Sequence, residues 1–260
     1  MSTSDLRLRQ RRGAVALAGR ETRRVVGLWT QTVLPPVVTA ILFLAVFGGA
    51  LGQRIRRIEG IEYVDFILPG LLVMTVAAQT AANASTSLFQ AKSEGYIEDV
   101  LTSPLRAWQI VAAYVSGALV RGLAAAAAIA VLAAPFAGGV AKPLVAVAAL
   151  VLTALVFAAV GTIVGVWADT FDQHSFITAI VITPLALLGG VFYTAGSLGE
   201  PWSTLTKLDP IYYLVDATRY GFTGFHEAPT ALSLAVAAAA AVLTFAVAAI
   251  VVARGWRLKP

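Results

Sequence analysis

The chain has 260 residues, 58% hydrophobic and 13% charged, about half the charge density of an ordinary soluble domain (~25%). A net charge of +5 is too small to keep so apolar a polymer in water, which excludes a soluble globule, a disordered chain and a nucleic-acid binder. With no cysteine, disulfides, thiol catalysis and cysteine-rich metal sites are excluded as well. The chain reads as a polytopic membrane protein.

Residues 1–24 carry seven arginines mixed with Leu6, Leu8, Val15 and Leu17. A basic amphipathic segment at the lipid surface fits this mixture, and a frayed basic tail fits residues 1–12 nearly as well. Runs free of Asp, Glu, Lys and Arg then cover residues 25–53, 66–91, 143–168, 175–199 and 228–253, and a further run over 107–141 is broken only by Arg121. The shortest has 25 residues and, at ~1.5 Å rise each, exceeds the ~30 Å hydrocarbon core. The sequence therefore predicts an all-α protein with six transmembrane helices in one domain spanning residues 1–260. The first run is too long for a secretory signal, it follows 24 residues rich in arginine, and no small-residue cleavage site is followed by a soluble body. Placing the amino terminus in the cytoplasm puts 12 basic residues inside and six outside, so both termini are expected to be cytoplasmic.

The polar remainder is too short for a catalytic domain, and no G-x-x-x-x-G-K-[ST] motif occurs, so the chain is not expected to hydrolyse nucleotide itself. His174 and His226 stand alone, and Asp169 and Asp172 near His174 fit a short solvated loop better than a metal site. No metal site is expected.

The loop 92–106 has more character. Ser93 can cap a short helix, Glu94, Glu98 and Asp99 lie in its early turns, and Pro104 ends it. Ile97, Val100 and Leu101 form an apolar stripe at i, i+3 and i+4. Such a helix is too short to stand alone and needs membrane or a partner, unless the loop is a plain solvated turn. Residues 200–227 are too long for a structureless connection. Glu200-Pro201 and Asp209-Pro210 are two helix-start signals. After the second, Ile211, Leu214, Val215, Thr218 and Phe222 share one face, with Asp216 and Arg219 on the other. The aromatics Trp202, Tyr212, Tyr213, Tyr220 and Phe225 suit a lipid–water boundary. A pair of short re-entrant helices in the outer leaflet is expected, the alternative being an external cap.

In the second run, Thr75, Gln79, Asn83, Ser87 and Gln90 make one polar face. Polar faces in lipid turn inward, to another helix or to an aqueous path, and Thr75, Gln79 and Asn83 are the candidate path residues. Gly48–Gly52 and Gly161–Gly165 spacings permit close helix approach. Arg121 lies about 21 Å into its span if the helix begins at Ala107. It is expected to clamp the outer helices through Asp216, or through Asp65, with snorkelling to the headgroups as the alternative.

Together these pieces resemble the type-2 permease subunits of ATP-binding-cassette exporters over nearly the whole chain. The resemblance rests on Arg20-Glu21-Thr22-Arg23-Arg24, Leu34-Pro35-Pro36 and the segment Glu94-Gly95-Tyr96-Ile97-Glu98-Asp99-Val100-Leu101-Thr102-Ser103-Pro104. It continues through Pro184-Leu185, Gly189-Gly190-Val191-Phe192-Tyr193, Asp209-Pro210-Ile211-Tyr212-Tyr213 and Arg219-Tyr220-Gly221-Phe222. The family usually has Asn where Asp209 stands; both residues cap helices. The nearest resemblance is to bacterial drug-resistance-like permeases of the cell membrane.

The resemblance implies a non-enzymatic permease, dimeric as a homodimer or with a related chain, driven by separate cytoplasmic ATPase subunits that hold ATP and Mg. It implies a coupling segment at Glu94, Ile97, Glu98, Val100 and Leu101, and a route bordered by spans one, two and five that moves a drug, lipid or glycan-lipid outward. Spans one and five are expected to meet at the dimer axis through Gly48, Gly49, Gly189 and Gly190. An ion-coupled transporter is the first rival, but the six runs hold no carboxylate, and an intramembrane enzyme is the second, without a nucleophile–base pair.

Overall fold

A computed structural model describes residues 3–46, 57–177, 180, 182–255 and 257–258. Eleven α-helices lie among them. The first, α1 (Thr3–Gly27), carries the arginines, and α2 (Trp29–Phe43) follows after a one-residue break. Pro35 and Pro36 sit inside α2. A two-residue hairpin, β1 (Arg57–Ile58) with β2 (Ile61–Glu62), turns through Glu59 and Gly60, both at positive φ as a tight hairpin turn requires. α3 (Tyr63–Ser93) is followed by α4 (Ile97–Thr102), α5 (Ala107–Ala133) and α6 (Pro143–Trp167). Then come α7 (Phe171–Ile177), α8 (Thr183–Leu188), a 3-10 turn (Ala195–Ser197), α9 (Trp202–Leu208), α10 (Pro210–Thr223) and α11 (Thr230–Ala253).

Among the described residues five helices are long and apolar enough to cross a membrane: Trp29–Val46, α3, α5, α6 and α11. The sixth predicted run, 175–199, is not a single described helix. Its helical pieces α7 and α8 flank residues 178, 179 and 181, which lie outside the described set, and helix ends at Leu188. Gly190, at φ +79°, turns the chain back, and Val191 and Ala195 are then fully buried.

α3 is the centre of the bundle, packed against α5, α6 and α10. The α3–α6 contact is a close one because Gly161 and Gly165 present no Cβ: one at Gly165 would lie 2.7 Å from the Ser85 carbonyl oxygen, and one at Gly161 would strike that of Ala81. The expected close approach at Gly161–Gly165 is thus made within the protomer. Outward faces are apolar, with Leu34, Val38 and Leu42 on α2, Leu144 and Val147 on α6, and Val242, Leu243 and Ile250 on α11 all exposed. Apolar outward faces are what a lipid solvent selects.

Gly189 is also spent inside the protomer, since a Cβ there would sit 2.8 Å from Ile211 Cγ2. Gly189 thus seats α10 within the protomer. Gly48 and Gly49 lie outside the described residues.

Candidate functional site

The segment expected to couple begins where α3 stops. Gly95, at φ +79°, turns the chain into α4. Ser93 does not cap α4 as predicted; its hydroxyl donates back to Phe89 and Gln90 carbonyls at 3.0 and 3.3 Å, so it finishes α3. The apolar stripe also has a different destination from the one expected. Ile97 and Val100 are buried in the protomer's own core with Leu17, Leu88 and Val111, and Leu101 packs against the same cluster. They anchor α4, because six residues of helix need tertiary packing to persist. Glu94, Glu98 and Asp99 are left exposed as the accessible acidic face. Ser103 is extended and Pro104 precedes α5, whose start is held by Gln109 Oε1 accepting from the Arg106 N–H at 2.9 Å.

The polar face of α3 is engaged by two neighbours. α1 lies along α5, close enough that a Cβ on Gly117 would meet Glu21 Cβ at 2.8 Å. Glu21, only 2% exposed, accepts from Ser87 and pairs with Arg20 (3.0 Å) and Arg24 (3.4 Å). Arg24 donates to Gln90 at 2.9 Å and to Asn83 at 3.5 Å. Asn83, Ser87 and Gln90, three of the five predicted polar positions, are therefore bonded to α1. Thr75 and Gln79 instead line a cavity of about 200 Å³ between α2 and α3, whose walls include Pro35, Phe43 and Met74.

Arg121 does not reach Asp216 or Asp65. Its Nε donates to Gln79 Oε1 at 2.9 Å, and Asp65 accepts from the Gly138 N–H at 2.8 Å. Asp216 accepts from the Glu227 N–H (2.7 Å) and Ser233 hydroxyl (2.8 Å), tying α10 to the start of α11. The expected Arg121–Asp216 clamp is corrected: Arg121 faces the polar stripe of α3, because Gly122 beside it lets α5 close onto Thr80.

The arginine that fixes α10 in place is Arg219. It is 1% exposed, its guanidinium lies 3.9 Å over the Phe66 ring, and it donates to the carbonyls of Gly190 (2.7 Å), Phe66 (3.3 Å) and Val191 (3.5 Å). Glu227 stands 3.5 Å away as counter-ion and accepts from the Ala195 N–H at 2.7 Å. Burial pushes Arg219 down to about 10, which leaves it charged at neutral pH, and burial pushes Glu227 up. The sequence placed Arg219 on a face opposite the apolar one, yet α10 packs against α3, α6 and α11 and buries that face as well. A cation in an aromatic-rich helix just after an Asp-Pro start was the available signal. Glu21 had one too, as a carboxylate set among arginines at i−1 and i+3.

Asp209 Oδ1 accepts from the Ile211 N–H at 2.9 Å, so the predicted cap of α10 is present with Pro210 at the first helical position. α9 starts one residue later than expected, at Trp202, with Pro201 as its cap. Asp169 pairs with Lys92 (3.4 Å) and Arg257 (3.2 Å), which binds the α6–α7 loop to the end of α3 and to the carboxy-terminal segment.

Residues 13–223 match the ABC-2 type transporter family. The chain is 36% identical over 220 residues to the inner membrane transport permease YadH of Escherichia coli K12, covering 84% of this chain and 85% of that protein. It is also 25% identical over 183 residues to nodulation protein J of Rhizobium leguminosarum bv. trifolii, covering 69% of each. With five helices long and apolar enough to cross a membrane among the described residues, and a family match over most of its length, the chain belongs to the ABC-2 type transporters, as a multi-pass inner-membrane permease subunit of an ATP-binding-cassette transporter.

Proposed function

We propose that the chain is the membrane half of an exporter that moves a hydrophobic or amphipathic cargo outward, as a dimer driven by separate ATPase subunits that hold ATP and Mg. In this reading α7 and α8 belong to a sixth crossing, α9 and α10 form the outer re-entrant pair, and both termini are cytoplasmic. The observation that supports it best is α4. Its apolar side is fixed in the core shared by α1, α3 and α5, while Glu94, Glu98 and Asp99 stay exposed. A partner pressing on that acidic face therefore pushes directly on the helices that carry the polar stripe. Exposed ion pairs contribute only ~0–1 kcal/mol each, so the acidic side chains set orientation more than affinity.

Co-expression with a candidate ATPase subunit, followed by purification through a tag on the permease, tests this reading. Reversing charge at Glu94 and Glu98 should lower cargo-linked ATPase activity while membrane insertion and thermal stability stay as in the native chain. Unchanged ATPase binding and turnover in that variant would overturn the role of α4.

A further inference from the structure

Gln79 and Asn83 are i, i+4 neighbours on α3, so their side chains rise side by side, ~5–6 Å apart at Cβ. Each accepts from a different arginine: Gln79 from Arg121 on α5, Asn83 from Arg24 on α1. The two arginines thus bond to one face of α3 a single helical turn apart. Among the described residues the carboxylate in contact with this group is Glu21, already bonded to Arg20, Arg24 and Ser87. Arg20, Arg24 and Arg121 against Glu21 leave two positive charges in excess.

Free donors point the same way. Arginine only donates, so the oxygen of Asn83 must face Arg24, which leaves its Nδ2 as donor. That atom is buried, on a residue 2% exposed, and has no partner among the described residues. Arg121 uses Nε on Gln79, and among the described residues no bond is formed by its two terminal nitrogens. Gln79 spends its oxygen on Arg121 and lines the cavity between α2 and α3. A buried unpaired donor beside an excess of cationic charge is costly in lipid, and an anion relieves both.

We infer that Arg24, Gln79, Asn83 and Arg121 bind the phosphate headgroup of an amphipathic ligand whose apolar part lies in the groove between α2 and α3. The inference rests on the proposed export of amphipathic cargo and gives that cargo its charge. A phosphate monoester carries the two negative charges that the site lacks, and its oxygens match the guanidinium fork. The groove of about 200 Å³ lined by Pro35, Pro36, Phe43 and Met74 accepts hydrocarbon. Gln79 lies 14 residues before Ser93, ~21 Å along the helix, so a lipid-tailed anion entering sideways arrives more readily than one leaving water.

The test uses the whole chain in phosphatidylcholine nanodiscs, titrated with fluorescent phosphatidic acid or with phosphatidylcholine bearing the same label. Preferential retention of phosphatidic acid is expected, falling about tenfold in Arg121→Gln, the scale of one lost charge-assisted pair. Asn83→Asp guards against misfolding: a carboxylate there would pair with Arg24 and offset part of the excess positive charge, so thermal stability should rise while retention is lost. Equal retention of the two lipids, or unchanged retention in both variants, would overturn the site. Displacement by inorganic phosphate at equal concentration would assign it to a water-borne anion and overturn the amphiphile. No ATPase is involved, so failure here leaves the co-purification result standing, and a permease that captures no ATPase can still be scored for lipid.

Discussion

Arg219 shows how one buried residue can hold several distant segments of a membrane protein together. A guanidinium at 1% exposure persists because three carbonyls, an aromatic face and Glu227 replace its water. Arg219→Met should destabilise the chain by about 3–5 kcal/mol, since it strands Glu227, and adding Glu227→Gln should recover part of that loss. Thermal unfolding in detergent measures both. Asp209 offers a pH test. Burial raises its carboxyl to about 6 from 3.8, so the folded state binds this proton more tightly than the unfolded state. Its stabilising contribution is complete below pH 3.8 and is lost as pH rises through about 6. Asp209→Asn keeps the cap without the charge. It should raise the melting temperature at neutral pH, by roughly 1–3 kcal/mol of stability, and flatten the fall between about pH 4 and 7. A variant that melts lower at every pH would show that the charge itself holds the cap.

At the scale of elements, the two faces of α4 should behave differently. Ile97→Asp places a carboxylate at a position 3% exposed in the core and should cost about 3 kcal/mol or more, visible as lost expression and a lower melting temperature. The exposed Glu98 should tolerate Lys with stability unchanged within about 0.5 kcal/mol. The α3–α6 seam gives the sharpest packing test. Gly161→Leu would drive a side chain into the backbone of Ala81 and separate the two helices. Val160→Leu is the control, because Val160 is only partly buried and adds one methylene away from that seam. Loss of the folded protein from a monodisperse gel-filtration peak is the expected result for Gly161→Leu, with the peak retained in Val160→Leu.

For the whole molecule, the exposed apolar faces decide what each helix meets. α2 leans on α5 with one side and presents Leu34, Val38 and Leu42 on the other. α11 presents Leu243, also exposed. The native chain has no cysteine, so single replacements report contacts cleanly. If two copies meet through the first span, Leu42→Cys should form a disulfide-linked dimer in membranes and Leu243→Cys should not. The reverse pattern would move the dimer axis to α11.

Composition and periodicity alone determined that this chain lives in lipid, where its charge-free runs lie, and that a capped helix starts at Asp209-Pro210. Those features are local: about twenty apolar residues, or an acid before a proline, act on the nearest turn of backbone whatever surrounds them. The polar stripe of α3 was equally legible, because spacing fixes which residues share a face. What faced that stripe was not. Arg121 meets Gln79 instead of Asp216, Ile97 turns into its own core, and Arg219 becomes the buried clamp. Each outcome depends on which helices cross and how closely, and that was set by glycines such as Gly117, Gly122 and Gly189, whose missing Cβ atoms admit a neighbour. Pairings between residues as far apart as Phe66 and Arg219 are decided only when distant segments pack, since nothing in the sequence between them encodes the distance.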